Sequence, residues 1–423
     1  MAASRLFLAL IIMLMTPACV RLTMAWTDLS ASGPTANPPI TAGGAATLSV
    51  DDWESASAPQ VREALQTNVY GVLPDGARTA IENRRVVDAE AFNGAGVYEE
   101  FSLSVTADFK GVSREARFIM AVATPANVVG PTPVILMETF CPRWATLPHP
   151  DAYRPAGARD MMSGVGGSIA TFIFGRYICT PPIEDILNAG YAIATIAPSE
   201  FVPDRPEPGL EALRLLSAGH SDEDTRWGAI GAWGWAFSRM VDALEGDSRF
   251  DREAMIVWGH SRYGKAALVA AAFDERIDGV ISHQSGTGGA SLNRQKKGES
   301  LAAITDSYPH WFAKTYARYA GREQEMPIDQ HHLLALIAPR PVLLGNARRD
   351  VWSDPNGAFR AAKGADPIYQ LYGVGGLTQD RLKRFNPQAD IAFWIRPGTH
   401  GVVKEDWPAF LAFLDAHFKD PSS

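Results

Sequence analysis

The chain is 423 residues long, 46% hydrophobic, and carries a formal net charge of −8. That length and apolar content can bury a large core, as one large α/β domain or two medium ones. No lysine or arginine run stands out, Arg348-Arg349 being too short, so a polyanion-binding surface is excluded and no nucleic-acid partner is expected.

The N-terminus reads Met1-Ala2-Ala3-Ser4-Arg5, then the apolar run Leu6 to Met15, then Thr16-Pro17-Ala18-Cys19. A basic start, a short apolar core and a small-residue end predict a signal peptide within residues 1–25, cut after Ala18 or Ala25. The run is too short for an ordinary membrane span, so the mature chain is expected to be secreted or periplasmic, with no membrane association. A lipid anchor on Cys19 is a minor alternative, because Thr16 replaces the aliphatic residue such a site carries. Residues 26–50 lack periodicity and read as a flexible leader; residues 51–420 read as the catalytic-type domain. Cys141 and Cys179 could form a disulfide in an oxidising compartment or remain separate buried thiols, since spacing does not set their separation. No C-x-x-C or H-E-x-x-H occurs, so a metal site has no support, no cofactor is expected, and a monomer is the simplest assembly.

In chain order, Asp51 to Gln66 predicts a helix, and Arg85 to Asp88, Tyr98 to Asp108 and Ala116 to Val122 alternate like strands of an antiparallel lead-in. From Pro133 the pattern changes to apolar runs alternating with helical segments. The runs are Val134 to Met137, Ala192 to Ile196, Met255 to Trp258, Gly279 to Ser282, Pro341 to Leu344 and Ile391 to Ile395. This is the grammar of an α/β fold, a mostly parallel central sheet with helices on both faces. Thr225 to Leu244 predicts a helix whose grouped Trp227, Trp233 and Trp235 are expected in the core.

Within Ile256-Val257-Trp258-Gly259-His260-Ser261-Arg262-Tyr263-Gly264-Lys265 a predicted strand runs into a helix through a serine flanked by glycines. A serine on such a turn presents its hydroxyl as a nucleophile, although here the second glycine falls one position late. A serine there can equally be a turn residue or helix cap, so its partners decide. His400 follows the last predicted strand and supplies a general base. Asp350 follows the preceding strand and can hold the imidazole tautomer; Asp354, before Pro355, is a rival. The order Ser261, Asp350, His400 is that of an α/β-hydrolase triad.

With these residues placed, the chain resembles the glucuronoyl esterases, carbohydrate esterase family fifteen, of bacterial type. The likeness rests on Gly259-His260-Ser261-Arg262-Tyr263-Gly264-Lys265, Ser285-Gly286, Trp227-Gly228, Pro309-His310-Trp311-Phe312, Asp350-Val351-Trp352-Ser353-Asp354-Pro355 and Arg396-Pro397-Gly398. It implies an α/β-hydrolase fold and a metal-free serine esterase that cleaves 4-O-methyl-glucuronoyl esters joining glucuronoxylan to lignin alcohols. It further implies Arg262 at the oxyanion, and Lys265, Glu299 and Trp352 against the sugar. Fungal members carry their catalytic glutamate where this chain has Gln284; bacterial members often place the acid after the following strand, where Asp350 stands. An acetyl xylan or other carbohydrate esterase, or a non-catalytic carbohydrate-binding homologue, are the alternatives.

Overall fold

The structure is a computed structural model that describes residues 49–155, 164–380, 382 and 384–419. The expected signal peptide, Cys19 and all but the last two residues of the leader lie outside the described residues.

Among the described residues, nine strands form one sheet in the order β1-β2-β3-β5-β4-β6-β7-β8-β9. β1 (Gly76–Ala91), β2 (Gly96–Phe109) and β3 (Val112–Pro125) form an antiparallel meander whose last strand joins β5 (Ala192–Ile196) antiparallel. From β5 the sheet is parallel through β4 (Thr132–Glu138), β6 (Phe250–His260), β7 (Gly279–His283), β8 (Val342–Ala347) and β9 (Ile391–Arg396). The six apolar runs read from the sequence are β4 to β9. The lead-in strands are longer than their alternating stretches suggested, because β1 lies at the sheet edge and is mostly exposed, leaving little hydrophobic signal.

Side chains alternate across the parallel strands, so one strand feeds two cores. In β4, Val134 and Leu136 join the cluster under the helices α1 (Ala229–Leu244) and α2 (Arg262–Phe273), while Ile135 and Met137 join the cluster under the C-terminal helix Asp406–Phe418. Trp227, Trp233 and Trp235 are buried in the first cluster. Their packing makes α1 a rigid backing for α2. Cys141 and Cys179 are joined as a disulfide with Cα atoms 5.4 Å apart, which settles the pairing left open by the sequence.

Candidate active site

The loops at the C-terminal ends of the parallel strands carry the candidate residues. β6 ends at His260, Ser261 follows with φ 58° and ψ −120°, and α2 starts at Arg262. A positive φ at a non-glycine residue costs on the order of 1–3 kcal/mol and is kept only where the surroundings impose it. Here the Ser261 amide donates to the His283 carbonyl at 2.8 Å. A Cβ at Gly264 would lie 2.9 Å from the Gly259 carbonyl oxygen and 3.1 Å from that of His283, so the late glycine stands where helix and strand cross. Tyr263, in the usual glycine's place, turns into the core against Phe140 and Trp233, with ring centroids 5.0 and 5.2 Å away.

His400 and Asp350 arrive from the loops after β9 and β8. The His400 Nδ1 and Asp350 Oδ2 are 2.7 Å apart, and the His400 ring lies 4.6 Å from that of His260, the residue before the serine. Asp350 is buried, which pushes its carboxyl up, but the bonds from His400 and Ser353 outweigh burial and hold it below the ordinary range. Asp354 is engaged elsewhere. It sits at φ 51° as the N-cap of helix Pro355–Leu371, accepting from the Gly357 amide at 3.0 Å and the Lys297 amide at 3.1 Å. Gln284 is buried beneath the histidine loop: its Oε1 accepts from the Gly401 amide at 2.8 Å and its Nε2 donates to the Thr399 carbonyl at 3.3 Å.

Arg262 places its backbone at the first turn of α2, where helical amides lack intrahelical acceptors. Its guanidinium is boxed between Phe140 and Trp311, at 5.2 and 4.8 Å from their ring centroids, and pairs with Asp204. The same carboxylate accepts from the Trp311 indole at 2.8 Å and lies 3.0 Å from His310 Nε2. Burial, and then the neighbouring Arg262 charge, push the His310 imidazole down to about 4, so it is neutral and its Nε2–H donates. Asp204 was missed in the sequence: Pro203-Asp204-Arg205 carries no motif.

Lys265 faces inward from α2. Its ammonium donates to the Ser285 and Thr287 carbonyls at 2.5 and 2.7 Å, and burial pushes its pKa down to about 8. Trp352 is 57% exposed while Glu299 is 8% exposed, and the indole N–H donates to Glu299 Oε1 at 3.0 Å. This bond fixes the orientation of an open aromatic face. Beneath the elbow, His260 and His283 meet Nδ1 to Nδ1 at 3.1 Å, and burial pushes both imidazoles down. The arrangement offers a serine hydroxyl on a strained backbone, a carboxylate-anchored imidazole packed against the preceding His260, and a cation at the helix start, the parts needed for acyl transfer. Among the described residues, no group of three or more His, Cys, Asp or Glu is placed to hold a metal ion.

Comparison with known proteins agrees with this chemistry. The family described as "Glucuronyl esterase, fungi" matches residues 221–373. A carbohydrate esterase from an unknown prokaryotic organism is 32% identical over 403 residues, covering 90% of this chain and 89% of that protein. Among solved structures, a promiscuous CE15 esterase from a marine bacterial metagenome superposes with a TM-score of 0.79 at 30% identity, covering 92% of this chain and 99% of that one. A glucuronoyl esterase from Solibacter usitatus superposes with a TM-score of 0.75 at 29% identity, covering 91% and 99%. With the α/β-hydrolase sheet and the serine elbow in place, the chain belongs to the glucuronoyl esterases of carbohydrate esterase family 15, carboxylic ester hydrolases.

Proposed function

We propose that this protein hydrolyses 4-O-methyl-glucuronoyl esters of glucuronoxylan by a Ser261-His400-Asp350 acyl-enzyme mechanism. The observation that carries the reading is the 2.7 Å Asp350–His400 bond, with the His400 ring 4.6 Å from that of His260, the residue before a serine held at positive φ, in a member of this family. Asp350 fixes the proton on His400 Nδ1, leaving Nε2 to take the proton from Ser261. The serine Oγ attacks the uronoyl carbonyl, and the negative charge on its oxygen is met by the Arg262 amide and guanidinium. His400 returns the proton to the departing alcohol; water then attacks the acyl-enzyme by the same route and releases the uronic acid. Trp352 gives the sugar ring a flat apolar face and Glu299 beside it offers a carboxylate to its hydroxyls, whereas Lys265, expected against the sugar, is buried and supports the site through the Ser285 and Thr287 carbonyls. A location outside the cytoplasm is supported by the leader peptide read in the sequence and by the Cys141–Cys179 bridge, which suits an oxidising compartment.

The test is a substrate panel of benzyl glucuronate, methyl glucuronate and acetylated xylan with purified wild type and Ser261→Ala. Uronate esters should be turned over in preference to acetyl esters, and Ser261→Ala should lower kcat on the order of 10⁴ to 10⁶-fold. Full activity of Ser261→Ala would sink the mechanism, and a preference for acetylated xylan would sink the substrate assignment.

A further inference from the structure

Gln284 directly follows β7, beneath the His400 loop, and both ends of its amide are engaged. Oε1 accepts from the Gly401 amide and Nε2 donates to the Thr399 carbonyl, so one side chain grips the peptide groups on either side of His400. Only a group that donates and accepts at once can make this grip, which suits an amide and not a carboxylate. Its backbone is equally constrained. Gln284 has φ 51°, its amide donates to the Gly345 carbonyl at 2.8 Å, and Ser353 Oγ lies 3.3 Å from its carbonyl oxygen. The residue is 1% exposed, so each bond replaces one that water cannot supply.

We propose that Gln284 is a positioning residue, a clamp that seats the His400 loop so that Nδ1 meets Asp350, and that a carboxylate at this position impairs the enzyme. A carboxylate at 284 would keep the Gly401 bond but face the Thr399 carbonyl oxygen with a second acceptor. Arg396 Nη1 also reaches that carbonyl at 3.3 Å, so the loop loosens without being lost. The effect should therefore fall on turnover more than on binding. The proposal rests on the triad assigned above.

The experiment compares Gln284→Glu, the nearly isosteric Gln284→Met, Asp350→Asn and the double variant Gln284→Glu/Asp350→Asn, each with a melting temperature and a KM-against-kcat analysis on benzyl glucuronate. Both single changes at 284 should lower kcat by about 10- to 100-fold with KM within about twofold, the loss expected of a small misplacement of a catalytic group. The double variant should be no better than Asp350→Asn. The kcat ratio of Gln284→Glu to wild type should rise as pH falls, because a protonated glutamic acid can again donate and accept. The titratable and charged groups facing it, His400, Asp350, His283 and Arg396, are common to both proteins. Gln284→Glu as active as wild type, or a double variant that regains turnover over Asp350→Asn, would overturn the clamp and leave the triad standing. A fully active Asp350→Asn would instead sink the triad reading, and the clamp would then be judged on Gln284→Met alone, a kcat unchanged there overturning it.

Discussion

The α-carbon of Gly259 faces the carbonyl of Tyr263 so closely that a Cβ there would lie 2.1 Å from its oxygen. Both atoms belong to main chain, so no side chain can swing aside to make room. Gly259→Ala should destabilise the protein by about 3 kcal/mol or more, at the large end of single substitutions. Gly264→Ala, with its nearest backbone oxygen at 2.9 Å, should cost less. Urea unfolding of the two variants beside wild type checks the order.

Asp350 has a second signature besides turnover. Asp350→Asn should lower kcat on the order of 10³ to 10⁴-fold, because the amide no longer fixes the imidazole tautomer. The folded carboxyl is held below its unfolded value, so the native state gains stability at pH above the unfolded pKa and loses it as pH falls through the folded one. The stability difference between wild type and Asp350→Asn should thus shrink toward acid, measured as melting temperature against pH.

Asp204 is expected to matter through Arg262. Removing the carboxylate in Asp204→Asn leaves the guanidinium over its aromatic neighbours without the charge that orients it, and leaves the Trp311 and His310 donors with an amide in place of an anion. kcat/KM on a uronate ester should fall by about 10- to 100-fold, the range that a misaimed oxyanion donor produces. Equal losses on a generic aryl acetate and a uronate ester would place the effect at the oxyanion rather than at the sugar.

Glu138 ends β4 with both carboxyl oxygens buried and without a hydrogen-bond partner among the described residues, and burial pushes its pKa well above the ordinary range. The unfolded chain releases this proton at a lower pH than the native chain does, so the native state is favoured below the unfolded pKa and loses stability as pH rises toward the folded one. Glu138→Met should be more stable than wild type at neutral pH by about 1–3 kcal/mol, the mutational scale for an unpaired buried polar group. The gain should diminish toward pH 4, and a destabilised Glu138→Met at neutral pH would refute the account.

What could be read in advance followed from burial. Strands buried on both faces announce themselves as unbroken apolar runs, and β5 was bounded correctly for that reason, whereas exposed β1 left only a fragment, Arg85 to Asp88. Ser261, Asp350 and His400 were legible because each follows a recognisable strand in a known chain order. Asp204 was not, since its meaning comes from Arg262, Trp311 and His310 converging on it from separate parts of the chain. The direction of the Lys265 side chain was equally hidden: residue type gives an ammonium, and only the packing of α2 turns it toward the Ser285 and Thr287 carbonyls.

The cystine ties together more than two loops. Cys141 follows Phe140, the ring that faces the Arg262 guanidinium, and Cys179 lies just beyond Tyr177, whose amide donates to the Val402 carbonyl behind His400. It therefore runs as a covalent strut from the segment packed on Arg262 to the segment packed on the His400 loop. Closing 38 residues of sequence separation is worth about 4 kcal/mol in the chain-entropy account. Protein made in a reducing host would lack this strut, and the two segments would then be held by packing and hydrogen bonds alone.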